Sequence, residues 1–406
     1  MKNIWILNHY ASEGTGRHYC FAKHLTVRGN IVKIFKASTL HNSNKNVIKD
    51  NSKYVAEKID EIEFISIKAR NYFGNGKQRI LNMVDFALGL LSVSKKFDDH
   101  KPNIIFASSV HPLTWLSGYF LSKRYKAKFI VETRDLWPET LVAMGQINKN
   151  GIPAKILYSL EKFIYKRADK LIFTFPGGKD YVQEIGLDNS NVRYINNGID
   201  IDDFNFNKEK EIYVDDDLDN NTSFKILYTG SMGQANALNY LLEAAKIIRT
   251  NGINDIKIIL FGDGYQRKEL EEYSKVNGLT NVVFKGTVEK KYIPNILSKS
   301  NLNVFTGQSI YLYKYGLSLN KMFDYYASGK PTLSNIECGY DLLSEYDNGV
   351  TVDGGSAEAL VEGILKFYNM PKEEYKTYCD NAIIASKDFD FKVLTDKLEE
   401  IILELK

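Results

Sequence analysis

The sequence predicts an α/β protein made of two doubly wound parallel-sheet domains facing a cleft. Short Ile- and Val-rich runs alternate with amphipathic helical patterns from the first residues onward, which is the order of βαβ units. The alternation breaks in a polar, acidic stretch near 197–222 and then restarts. At 406 residues the chain is too long for one hydrophobic core and suits two.

In the first half, Ile4–Asn8 reads as a buried strand, followed by a glycine-containing loop and a helix near Tyr19–Arg28. Ile31–Phe35 and Glu63–Ile67 are the next strands, and 78–96 is a long amphipathic helix. Asn103–Ala107, Lys128–Val131 and Lys170–Thr174 are further strands, with helices near 113–124 and 153–168 between them. The stretch from Asn197 to Thr222, with Asp215-Asp216-Asp217 inside it, lacks periodicity and reads as an interdomain linker. Beyond it, Lys225–Tyr228, Lys257–Phe261, Val282–Lys285, Asn303–Phe305, Thr332–Ser334 and Val350–Val352 read as strands. Helices are expected at Leu238–Arg249, Gln266–Val276 and near 356–368, 372–385 and 390–405. The expected domains are 1–196 and 197–387, with a last helix, about 388–406, packing back on the first.

A net charge of +3 hides an asymmetry. Residues 1–180 carry 29 Lys and Arg against 15 Asp and Glu, and the remainder 24 against 35. Anionic lipid or nucleic acid would suit the basic half; drift in a Lys-, Asn- and Ile-rich sequence is the alternative. Cys20, Cys338 and Cys379 form neither a CxxC nor a metal spacing, and a reducing compartment fits. The first ten residues read as a strand, with too short an apolar core for a signal peptide. No apolar run reaches transmembrane length. The nearest, Ile80–Val93, is interrupted by Asp85 and flanked by Lys77, Arg79, Lys95 and Lys96.

The segment Gly316–Pro331 reads as one short helix with both ends marked. Ser318 and Asn320 are candidate N-caps, Gly329 sits at the C′ position, and Pro331 forbids continuation. Lys321, Asp324 and Ser328 share one face, while Leu319, Met322 and Tyr326 can pack inward. A helix opening with Asn-Lys offers free N–H groups, a positive dipole end and an ammonium, which suits a diphosphate. Asp324, one turn on, suits a ribose diol. Glycine loops follow three strands of the same half: Gly230-Ser231, Gly262-Asp263-Gly264 and Gly286. Together with the helix they line one rim of one sheet, where a nucleotide should lie.

In the first half, Gly14-Thr15-Gly16-Arg17-His18 follows the first strand, where a glycine loop brings N–H groups close to a ligand; a tight turn is the plainer reading. His111 lies at the carboxyl end of a strand, as does Arg134-Asp135-Leu136-Trp137-Pro138-Glu139. For the latter the alternative is an Arg134–Asp135–Glu139 salt-bridge cluster capping the next helix.

Taken together, these segments resemble the retaining GT4 glycosyltransferases of the GT-B fold, two Rossmann-like domains, and more narrowly the bacterial enzymes related to O-antigen fucosamine transferases. Gly14 to Tyr19, Arg134 to Pro138 and the Asn320-Lys321-Met-Phe-Asp324-Tyr helix carry the likeness, in the right order along the whole chain. The resemblance implies transfer of a sugar from a UDP-sugar with anomeric retention. It implies the donor in the C-terminal domain and a lipid-diphosphate-linked or saccharide acceptor in the N-terminal one. On that reading His111 contacts the donor sugar or stabilises the oxocarbenium-like state. Arg134 and Asp135 orient the acceptor, and Lys321 with the Gly230/Ser231 loop steadies the leaving diphosphate. No cofactor or divalent ion is expected, and no nucleic acid. The chain is expected in the cytoplasm or at the inner face of the membrane, with Ile80–Val93 as a candidate interfacial helix and an ordinary packed helix as the alternative.

The sequence departs from the class at two places. Gly316 stands where the first of two glutamates is usual, with Asp324 at the second, and Asn236 stands where a lysine is frequent. A non-hydrolysing UDP-sugar epimerase and a non-catalytic nucleotide-sugar-binding subunit are the competing readings. The first lacks a visible acid/base carboxylate pair; the second is kept open by Gly316.

Overall fold

Each expected apolar run forms a strand, most of them buried on both faces, as parallel sheets covered by helices require. A computed structural model describes residues 1–40, 45–74, 76–109 and 111–405. Val110, in the segment before His111, and the final Lys406 lie outside these. The chain divides into two units: Met1–Asn196 with Phe391–Lys406, and Asn197–Asp390.

The first unit contains an eight-stranded sheet. Its strands are β1 (Asn3–Leu7), β2 (Ile31–Ala37), β3 (Tyr54–Ile59), β4 (Ile62–Ile67), β5 (Ile104–Ser108), β6 (Lys128–Thr133), β7 (Lys170–Phe173) and β8 (Val192–Tyr194). The order is β3-β4-β2-β1-β5-β6-β7-β8, parallel except for β3. From β1 the chain builds first toward β2 and β4, then reverses to β5 and onward. The β1/β5 boundary is therefore the topological switch point, where doubly wound sheets open a crevice. The last helix, Phe391–Glu404, belongs to this unit: Phe391 meets Phe21 edge-on at 5.7 Å, and Arg28 pairs with Asp396 and Glu399.

The second unit holds β9 (Phe224–Thr229), β10 (Ile256–Phe261), β11 (Val282–Gly286), β12 (Leu302–Phe305), β13 (Thr332–Ser334) and β14 (Gly349–Thr351). The order is β11-β10-β9-β12-β13-β14, all parallel, with the switch point between β9 and β12. A core of aliphatic residues, among them Ile226, Leu241, Ile258, Leu302 and Leu360, lies under one face of this sheet.

Three local readings change. The stretch 197–222 is not a structureless linker. It carries the helices Ile201–Lys210 and Asp216–Asp219 and folds with the second unit. Asp215 and Asp217 form ion pairs with Lys285, and Asp217 another with Lys257, so the acidic run is anchored to strands β10 and β11. Strand β3 escapes the sequence because its hairpin turns on Asp60-Glu61, both at positive φ (48° and 64°), without the glycine that usually marks such a turn. Ser318 and Asn320 do not cap the helix Asn320–Ala327, whose N-cap position falls on Leu319 with no side-chain cap bond. Instead, Ser318 accepts hydrogen bonds from Asn197, through its hydroxyl and its carbonyl. The opposite end is as expected, with Gly329 left-handed at φ 67°.

Candidate active site

In the second unit, Lys321 meets Tyr228 of β9 and Asn236 in the segment that follows it. The 320–327 helix buries Met322, Phe323, Tyr325 and Tyr326, a wider inward face than the sequence suggested. The Tyr325 hydroxyl accepts from the Thr229 amide (3.0 Å) and reaches the Val304 carbonyl (3.3 Å), fastening the helix across the ends of β9 and β12. From that platform the Lys321 ammonium donates to the Tyr228 hydroxyl (3.0 Å) and to Asn236 Oδ1 (3.1 Å), and lies 4.3 Å from the Tyr228 ring centre. Asn236 in turn donates to Ser231 Oγ (3.0 Å), and its carbonyl accepts from Thr306 (2.5 Å). Tyr228 donates to the Ser231 carbonyl (2.6 Å). Burial pulls the Lys321 ammonium down to about 7, so an arriving anion would restore its charge.

The glycine loops stack beneath. A Cβ on Gly262 would sit 1.8 Å from the Gly230 carbonyl oxygen, and one on Gly264 2.3 Å from that of Met232; only glycine lets the loops approach this closely. The Gly262 amide donates to the Gly286 carbonyl (2.7 Å), tying the third loop to the second. Thus Gly230, Ser231, Gly262, Gly264, Gly286 and Lys321 are brought together. Asn320 is exposed at the first helical position, and Ser318 faces Asn197. Asp324 makes no carboxylate hydrogen bond among the described residues. Burial raises it to about 6, with the Lys290 ammonium opposing.

In the first unit, the ends of β1, β5 and β6 share a buried polar network. Glu132, fully buried, accepts from Arg17 Nε (2.7 Å), His18 Nε2 (2.9 Å) and Ser108 (2.6 Å), and Ser108 accepts from Asn8 (3.1 Å). The Arg17 charge holds the Glu132 carboxyl far below its usual range despite burial. Arg17 also donates to the carbonyls of Ile195 and Asn196. The Arg17 guanidinium, in the loop expected to meet a ligand, is thus occupied inside the unit. Gly14, Thr15 and Gly16 form an exposed loop before the helix Arg17–Val27, with Gly14 and Gly16 at positive φ.

His111 is buried at the end of β5, and its Nε2 lies 2.8 Å from His9 Nδ1 at the end of β1. Arg134 forms no ion pair or side-chain hydrogen bond among the described residues, and its buried Nε is unpartnered. Its amide donates to Ser109 (3.0 Å). The alternative salt-bridge cluster does not form, since Glu139 instead pairs with Lys149 and Tyr158. Asp135 is exposed, with the positive charges of Arg134 and Arg79 acting on it. Desolvation by the surrounding protein raises the carboxyl from its ordinary value, and the Arg134 and Arg79 charges oppose this.

Sequence reasoning missed His9, Asn82, Arg79, Glu132 and Tyr228. His9 and Tyr228 stand at strand ends beside residues that were singled out, so position alone marked them. Asn82 and Arg79 lie in the first two turns of the helix Lys77–Val93 and carry no local signal.

Two units, each built on a parallel sheet covered by helices, the second with stacked glycine loops at its switch point, have the architecture of the GT-B fold. Residues 223–370 match the family model of glycosyl transferases group 1, and residues 19–203 that of glycosyltransferase family 4. The chain is a glycosyltransferase of the GT4 type. Among solved structures, sucrose-phosphate synthase from Thermosynechococcus elongatus is similar at TM-score 0.75 and 16% identity, over 100% of this chain and 99% of the other. Anabaena HepE in complex with UDP and glucose aligns at TM-score 0.70 and 16% identity, over 99% and 100%. A UDP-forming α,α-trehalose-phosphate synthase from Burkholderia xenovorans aligns at 0.73 and 12%, over 100% and 99%. At these identities the likeness shows the fold. No curated protein matches the sequence.

Proposed function

We propose that the protein transfers a sugar from a UDP-sugar, with retention, to a lipid-linked or saccharide acceptor in bacterial surface polysaccharide synthesis. The donor sugar is an N-acetylated hexosamine or deoxyhexosamine. The observation that carries this reading is the Lys321 cradle at the β9/β12 switch point. Anabaena HepE was solved with UDP and with UDP-glucose, which supports a UDP-linked donor here. It also favours a second reading, in which glucose is the sugar moved.

Lys321, Ser231 and the Gly230, Gly262, Gly264 and Gly286 loops hold the diphosphate, and Asp324 takes the ribose diol. As the bond from C1 to the β-phosphate breaks, Lys321 and the 320–327 helix N-terminus stabilise the charge that develops. The acceptor oxygen bonds to C1 on the same face, and its proton passes to a departing phosphate oxygen. His111 contacts the donor sugar, and Arg134 and Asp135 orient the acceptor. Gly14, Thr15 and Gly16 present backbone N–H groups to the ligand. No divalent ion is needed, because the cradle supplies the positive charge.

A polyprenyl-diphosphate saccharide is the acceptor, met at the inner face of the cell membrane through the basic N-terminal unit. No helix among the described residues is long and apolar enough to cross a membrane.

The test is incubation with a panel of UDP-sugars and a polyprenyl-diphosphate-linked saccharide, with and without EDTA. UDP release with a new glycosidic product that survives EDTA is expected. Interconversion of free UDP-sugars, or binding without turnover, would replace this reading with an epimerase or a binding subunit.

A further inference from the structure

The two histidines at the first unit's switch point are wired in one direction. Asn82, on the helix Lys77–Val93, donates through Nδ2 to the Arg70 carbonyl (2.6 Å) and to Thr39 Oγ1 (3.0 Å). A carbonyl can only accept, so the amide is oriented with Oδ1 toward His9 Nε2, 2.7 Å away. His9 Nε2 must then carry a proton, which in a neutral ring leaves Nδ1 bare. That bare Nδ1 lies 2.8 Å from His111 Nε2, so His111 carries its own proton on Nε2. His111 Nδ1 is left as a buried lone pair with no partner among the described residues. Unpartnered buried acceptors are uncommon and are usually met by water or a ligand. Edge contacts of His9 with Phe86 (4.7 Å) and Tyr10 (4.5 Å) hold its ring in place.

We propose that His9, backed by Asn82, is a positioning residue that fixes His111 as its Nε2–H tautomer, keeping His111 Nδ1 as a hydrogen-bond acceptor for a hydroxyl of the bound sugar. The relay itself is a property of the free protein; the ligand's identity rests on the glycosyl-transfer reading above. Burial opposes a proton on His111 Nδ1, and the positive charge of Arg79 on the 77–93 helix acts in the same sense. His111 in this arrangement accepts a hydrogen bond and stays uncharged, so it steadies a hydroxyl and does not act as a proton donor.

Full-length protein with ¹⁵N-labelled histidine tests this directly. Long-range proton–nitrogen spectra report which ring nitrogen is protonated, and His111 is assigned by its loss in His111→Gln. The expected result is a proton on His111 Nε2, a bare Nδ1, and no titration between pH 6 and pH 8. His9→Asn, whose amide oxygen can replace Nδ1, should keep that tautomer. His9→Leu should give a mixture and lower kcat/KM at least fivefold, while the affinity for UDP alone stays at the wild-type value. A wild-type proton on Nδ1, titration inside that range, or an unchanged tautomer in His9→Leu overturns the proposal. Should His9→Leu not fold, the wild-type and His9→Asn spectra decide. The spectra are recorded without ligand. An expected tautomer with no sugar transfer in the panel assay would support the relay and count against the proposed reaction.

Discussion

Among the described residues Lys321 is held by neutral partners, a phenol and an amide oxygen, and pairs with no carboxylate. This is why burial can bring it to about 7. A diphosphate binds the protonated form, so UDP affinity should fall as pH rises through 7. The limit is about tenfold per pH unit, since each unit moves the protonated fraction tenfold. Calorimetric titrations at pH 6.5, 7.5 and 8.5 on wild type and Lys321→Met check this, the variant giving the slope due to UDP itself. Lys321→Ala should lower turnover at least tenfold, about 1.4 kcal/mol of barrier, read from initial rates of UDP release. Glu132 behaves in the opposite sense. Its carboxyl is depressed by Arg17 and His18, so its contribution is complete above the usual 4.5 and is lost as pH falls toward the folded value. Glu132→Gln leaves Arg17 buried without a counter-charge and should cost about 3 kcal/mol, measured by denaturant melts at pH 7.

Among elements, the glycine loops and the 320–327 helix act as one piece. The β10 loop lies directly on the β9 loop, so Gly262→Ala must push Gly230 away from the position Lys321 depends on. A loss of at least tenfold in UDP affinity is expected, about 1.4 kcal/mol, with secondary structure by circular dichroism unchanged. This loop stacking was partly legible: three glycine loops at successive strand ends marked a rim, but nothing in a linear chain says which loop rests on which. The helix was legible from its ends inward. Gly329 behaves as read because a left-handed C′ position is a local backbone requirement. Ser318 does not cap because Asn197, distant in sequence, engages it first. The run Asp215-Asp216-Asp217 looked like a solvated linker for the same reason, its lysine partners lying on strands far along the chain.

At the scale of the whole molecule, the chain leaves its first unit at Asn196 and returns to it at Phe391. The closing helix buries Phe391, Leu394, Leu398, Ile401 and Ile402. Ending the chain at Asp390 should expose Phe21 and lower the melting temperature of the first unit by several degrees. UDP binding by the second unit should stay near wild type. Differential scanning calorimetry with and without UDP separates the two effects.

The sequence by itself determined the two parallel sheets and the short helix at 320–327 with its glycine end. These follow from local periodicity and end signals, which each short stretch carries within itself. Only the tertiary structure decided that Arg17 pairs with Glu132, that Lys321 rests on Tyr228 and Asn236, and that His9 lies between Asn82 and His111. Those outcomes depend on which strand ends become neighbours at a switch point. Hydrogen-bond direction and burial there are set by residues far apart along the chain, 115 positions for the Arg17–Glu132 pair and 93 for Lys321–Tyr228.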